Sequence, residues 1–66
     1  MKIHLNGEPR EFAEGLTINA LLEELKIRPA RVVIELNREI LARDLYGSTR
    51  LNDGDTLEIV HFVGGG

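Results

Sequence analysis

Cysteine is absent from the 66-residue chain. That excludes a disulfide framework and every thiolate-based metal or redox site, and it makes the cytoplasm the expected compartment. A domain this short buries only about 60% of the surface its unfolded chain exposes, so without staples its core has to be compact and continuous. Aromatics are scarce too, with two Phe, one Tyr and no Trp. Arg10, Arg28, Arg31, Arg38, Arg43 and Arg50 are scattered singly along a chain of formal net charge −3. Nothing there makes a stacking platform or a basic stripe, so no nucleic-acid partner is expected. No apolar run approaches the roughly 18 residues of a membrane span, and no basic stretch leads into an apolar run at the N-terminus. Neither a membrane role nor a leader is expected.

Sites for chemistry are missing as well. His4 and His61 are the only histidines, and nothing supplies the further ligands of a zinc site. Ser48 is the only serine and has no base arranged with it. The glycines form no G-x-G-x-x-G or phosphate loop. Asn52-Asp53-Gly54-Asp55 fails as a calcium loop. With Gly54 at the sixth position, Leu51 would take the third and Val60 the twelfth, where oxygen ligands and a glutamate are required. The expectation is a chain that is not an enzyme and binds no metal or cofactor of its own.

What is present reads as a small α+β domain. Ile3 and Leu5 alternate with Lys2 and His4, the period of a half-buried strand. Asn6-Gly7-Glu8 supplies turn chemistry, and a second strand is expected over Arg10 to Ala13, at a sheet edge because Pro9 donates no amide. Thr17 stands where a helix N-cap belongs. Ile18, Leu21, Leu22 and Leu25 then form one apolar stripe at i, i+3, i+4 and i+7, and Arg28-Pro29 is expected to stop the helix. Val32 to Leu36 is a β-branched strand, Asn37 to Glu39 turns, and Ile40-Leu41 is a shorter strand. Residues 43–51 have no clean period and leave room for a helical turn around Asp44-Leu45-Tyr46. Asn52 to Asp55 is a turn leading into a last strand, Thr56 to Val63. Leu57 and Ile59 face one way in it and Val60 and Phe62 the other, which argues for a central position. Shared apolar parity predicts that the helix leucines pack over Ile3, Leu5, Leu57 and Ile59.

The chain closes on Val63-Gly64-Gly65-Gly66. Glycine-rich ends are often merely frayed, but these follow directly on a strand expected in mid-sheet. The expected organisation is a domain over 1–63 and a flexible tail over 64–66. Without Cβ atoms the tail could thread a narrow channel, reaching about 10 Å at roughly 3.3–3.6 Å per residue. Its terminal carboxylate, with an ordinary pKa of about 3.3–3.7, is ionised at neutral pH and needs activation before it can react as an electrophile. Such a tail offers no side chains to offset the entropy of being ordered, about 1–2 kcal/mol per residue. Val60 and Phe62, one step from the glycines, are therefore the candidates for docking on a partner. The competing reading covers them within the monomer.

Taken together, Met1-Lys2-Ile3 through Leu5-Asn6-Gly7-Glu8, Thr17-Ile18 with Leu21-Leu22 and Leu25, Val33 to Asn37 before Glu39-Ile40, Arg43, and Asn52-Asp53-Gly54-Asp55 running through Leu57 to Gly66 resemble the ThiS sulfur-carrier family of thiamine biosynthesis. The resemblance covers nearly the whole chain. It departs from the commonest pattern at Ala42, where many members have proline, and in carrying three terminal glycines where two would do. It implies a ubiquitin-like β-grasp fold, a mixed sheet of four to five strands with one helix across one face, and a monomer when free. It implies that an E1-like adenylating enzyme of the ThiF type uses ATP to convert the Gly66 carboxylate to an acyl-adenylate, with Gly64 and Gly65 inside that enzyme. A persulfide sulfur drawn from cysteine by a desulfurase would leave a Gly66 thiocarboxylate, and a thiazole synthase of the ThiG type would take the sulfur into thiazole. Two alternatives stay open. One is the small subunit of molybdopterin synthase, with the same tail chemistry and another acceptor. The other is a β-grasp binding module without carrier activity.

Overall fold

Two-residue turns set the registers of both hairpins. Asn6 and Gly7 take φ of 49° and 85°, and Asn37 and Arg38 take 52° and 72°. Positive φ at both central positions is the type I′ geometry that matches the twist of paired strands. Leu5 therefore stands opposite Glu8, and Leu36 opposite Glu39. The computed structural model describes residues 1–62. Val63 and the glycines Gly64, Gly65 and Gly66 lie outside the described residues.

The elements in order are β1 (Lys2–Leu5), β2 (Glu8–Glu11), α1 (Ile18–Glu24), β3 (Val32–Leu36), β4 (Glu39–Leu41) and β5 (Thr56–His61). Single 3₁₀ turns occupy Pro29–Arg31 and Arg43–Leu45. The sheet order is β2-β1-β5-β3-β4, with β5 parallel to β1 and antiparallel to β3. This is the β-grasp arrangement, a five-stranded mixed sheet with one helix. β2 starts at Glu8 rather than Arg10, because the turn uses only Asn6 and Gly7 and pairing resumes at once. Pro9 sits inside β2, where the sheet edge tolerates its missing amide.

Helix α1 begins as its sequence dictates. The Thr17 hydroxyl accepts from the Ala20 amide at 3.1 Å. The amides of Ile18 and Asn19 donate to the carbonyls of Thr49 and Tyr46, and the Leu21 amide makes the first intrahelical bond, to the Thr17 carbonyl, so the free donors of Ile18, Asn19 and Ala20 are all satisfied. Its end differs from the expectation. Leu25 caps the helix, Lys26 takes φ 60°, and the amides of Lys26 and Ile27 return to the carbonyls of Glu23 and Leu22. That is a Schellman stop, formed by a lysine in the left-handed conformation three residues before Pro29. The proline instead opens the following 3₁₀ turn.

Leu21 and Leu22 are fully buried over Ile3, Leu5, Leu57 and Ile59, with Leu25 packed partly against them. The aperiodic stretch after β4 closes the remaining side. Tyr46 and Leu51 are buried there, and the Leu51 amide bonds the Leu16 carbonyl at 2.8 Å.

Candidate functional site

β5 is the last described strand before Val63 and the terminal glycines, so what fixes β5 fixes the point from which they continue. On one side β3 pairs with it from Leu57 to His61, and the Phe62 amide adds a last bond to the Arg31 carbonyl at 3.0 Å. On the other side the ladder to β1 stops early, since Leu5 pairs with Leu57 and β1 then turns away. The Asn6 side chain takes over. Its Oδ1 accepts from the Ile59 amide at 2.7 Å and its Nδ2 donates to the Ile59 carbonyl at 3.2 Å. A side-chain amide thus replaces the missing peptide of β1 and extends the parallel ladder by one step. Sequence reading took Asn6 only as a turn former; its tie to β5 leaves no local signal.

Directly paired residues share a sheet face. Ile34 with Ile59 and Leu36 with Leu57 lie under the helix, while Val33 with Val60 and Glu35 with Glu58 lie on the opposite, open face. Val60 is 52% and Phe62 58% exposed. β5 is central, as its two apolar faces imply, yet no element among the described residues covers its second face. Ile40, on the outer strand β4, pairs with Glu35 and adds a third exposed apolar side chain to this face. The juxtaposed Glu35 and Glu58 bound the patch, since like charges directly opposite each other are unfavourable and cannot lie under apolar cover. The open face therefore presents an apolar patch centred on Val60 and Phe62, at the end of the described residues. Gly64, Gly65 and Gly66 themselves are outside the described residues.

Beside the root, on the helix side, the structure gathers what the sequence scatters. Lys26, Ile27, Arg28, Arg31 and His61 line a shallow cavity of about 290 Å³ between the stop of α1 and the end of β5. His61 has core-side parity but is exposed, because α1 ends before reaching it. His4 is exposed on the other face. Among the described residues no three His, Asp or Glu side chains cluster as a metal site would need, and no helix is long and apolar enough to cross a membrane.

Comparison with known proteins now decides the family. The ThiS family model matches residues 3–66. The chain belongs to the ThiS family. The sulfur carrier protein ThiS of Bacillus subtilis is 38% identical, over 97% of this chain and 98% of that protein. The crystal structure of the thiamine biosynthesis protein ThiS from Geobacter metallireducens superposes with a TM-score of 0.87 at 39% identity, covering 100% of both chains. A thiazole synthase of Magnetococcus marinus is 46% identical over the whole chain, but the chain spans only 20% of that protein's length. The ThiS family thus includes segments built into a larger thiazole synthase as well as carriers of this size.

Proposed function

We propose that this chain is a sulfur carrier for thiazole formation and that Gly66 is the atom-bearing end. A Gly66 carboxylate oxygen attacks the α-phosphorus of ATP on an E1-like, ThiF-type adenylating enzyme, and pyrophosphate leaves. A persulfide sulfur, supplied through a cysteine desulfurase, attacks the carbonyl carbon and AMP departs with the oxygen. A second thiol then cleaves the S–S bond and leaves the thiocarboxylate, which thiazole synthase consumes. The chain contributes no catalytic group; ATP belongs to the partner. The observation that supports this reading best is the uncovered Val60 and Phe62 patch at the tail's root, in a chain of the ThiS family.

In this reading the tail threads the partner's channel while the patch supplies the docking energy that three glycines cannot. The domain, residues 1–63, stays outside, and the 64–66 tail enters. That a thiazole synthase carries a relative of this chain on its own polypeptide favours thiazole synthase over molybdopterin synthase as acceptor. The test is transfer. Carrier charged with labelled sulfur should discharge to thiazole synthase and not to a molybdopterin-pathway acceptor. One alanine added after Gly66 should abolish charging without unfolding the protein, since it shifts the carboxylate by about 3.3–3.6 Å, where about 1 Å of misplacement already costs roughly a hundredfold in rate. Undiminished charging of the extended chain would refute Gly66 as the reacting end.

A further inference from the structure

The cationic cavity has no part in the chemistry above, and its composition runs against that of the molecule. The chain has 11 acidic against 8 Lys and Arg residues, yet Lys26, Arg28, Arg31 and His61 line this one cavity, while the carboxylate of Glu23 belongs to the adjoining cavity that shares Lys26, Ile27 and Arg28. The ion pairs among the described residues are made by the N-terminal ammonium, with Glu11 and Glu14. No described hydrogen bond uses the Lys26, Arg28 or Arg31 side chains, although the backbone carbonyls of Arg28 and Arg31 both accept one. Among the described residues, the fold therefore fixes the backbone of this segment and gives its charged heads no hydrogen-bond or ion-pair partner.

Position supplies the second argument. The Arg31 carbonyl receives the last described amide before the tail, that of Phe62, and His61 pairs with Val32 just above it. The cavity and the Val60 and Phe62 patch thus flank the same root from opposite faces of β5. Three glycines span about 10 Å, so an enzyme that encloses Gly66 has its channel mouth against both surfaces.

We propose that the Lys26, Arg28, Arg31 and His61 cavity is a docking site for an acidic rim around the tail channel of the adenylating enzyme. This rests on the carrier reading. The apolar patch supplies affinity and the cavity orients the encounter, turning a net-negative molecule so that it arrives tail first. Charges arranged in this way act mainly on association rate and are screened by salt.

The experiment is steady-state activation of the full chain by its own adenylating enzyme, comparing wild type with the double variant Arg28→Glu, Arg31→Glu. Because these heads are exposed and make no hydrogen bond or ion pair among the described residues, the variant should keep the wild-type Tm. Its KM for carrier should rise roughly tenfold or more with kcat retained, as loss of steering predicts. Wild-type KM should climb from about 0.01 to 0.15 M ionic strength, as the Debye length falls from about 30 to 8 Å, while the variant, which meets the acidic rim with like charge, should lose or invert that rise. Arg28→Lys, Arg31→Lys should behave as wild type. An unchanged KM, a fall confined to kcat, or a defect seen only in discharge to thiazole synthase would overturn the assignment. So would saturable shifts of the Lys26, Arg28 and Arg31 amide resonances with inorganic phosphate, which would make the cavity a small-anion site. A wild type that is not activated at all removes the carrier reading; an activated wild type indifferent to the reversal removes this inference alone.

Discussion

Replacing Asn6 tests how the tail's root is held. The side chain contributes two hydrogen bonds to Ile59, at 2.7 and 3.2 Å, and Asn6 sits at φ 49°. Asn6→Gly keeps the backbone conformation and removes both bonds. At about 0.5–1.5 kcal/mol net for each, it should cost about 1–3 kcal/mol. A domain of this size has roughly 3–10 kcal/mol in all, at about 0.05–0.15 kcal/mol per residue, so the loss is large. It corresponds to a fall in Tm of about 4–24 °C for a chain of this length. Asn6→Ala removes the same bonds but keeps a Cβ in the left-handed region without asparagine's local hydrogen bonding, so it should lose more than the glycine variant. Asn6→Asp keeps the acceptor for the Ile59 amide but loses the donor to its carbonyl, and should fall short of the glycine variant's loss. Urea melts with an unchanged m-value would measure the series, and amide exchange at Ile59 should accelerate in each variant. An Asn6→Gly protein within about 0.5 kcal/mol of wild type would refute the ladder-extending role, since that is the scatter of surface substitutions without such a feature.

Two further perturbations read the helix stop and the open face. Lys26→Gly should raise stability by roughly 0.5–1 kcal/mol in thermal unfolding, because glycine takes the left-handed C′ position without a Cβ penalty; a lower Tm would contradict the Schellman assignment. Phe62→Ala should leave stability within about 0.5 kcal/mol of wild type, as expected for an exposed side chain, while weakening calorimetric binding to the adenylating enzyme and thiazole synthase by about 2 kcal/mol or more, the scale of an aromatic anchor. Unchanged binding to both would remove the patch from the docking surface.

Strand parity and the helix stripe were legible because both are local periods. Leu57 and Ile59 against Val60 and Phe62 gave the central strand and its two faces, and the spacing of Ile18, Leu21, Leu22 and Leu25 gave the buried side of α1. Glycine and asparagine at the turns gave the hairpins, though not the two-residue length that starts β2 at Glu8. The end of α1 was misread because the strong signal, Pro29, lies beyond a weaker one. Nothing about Lys26 marks it for positive φ; the carbonyls of Glu23 and Leu22 do, once the helix exists. Tyr46 and Leu51 are core residues from an aperiodic segment, placed by backbone bonds to the start of α1 rather than by pattern. The open apolar patch followed from parity, whereas the cationic cavity did not. Arg28, Arg31 and His61 meet only through the register that sets Val32 opposite His61, and a pairing between residues so far apart in sequence is invisible to local reading. Asn6 belongs with them, because its side-chain partner is 53 residues away.

The central claim is that Gly66 carries transferable sulfur, and intact-protein mass spectrometry tests it most directly. Incubated with ATP, its own adenylating enzyme and a persulfide donor, the chain should gain the mass difference between sulfur and oxygen, and fragmentation should place that gain on Gly66. No cysteine is present to hold sulfur elsewhere; oxidation of Met1 to its sulfoxide adds nearly the same mass, and the fragmentation separates that product from a gain on Gly66. A chain that stays at its original mass with the cognate enzyme, or a gain located away from Gly66, would contradict the account.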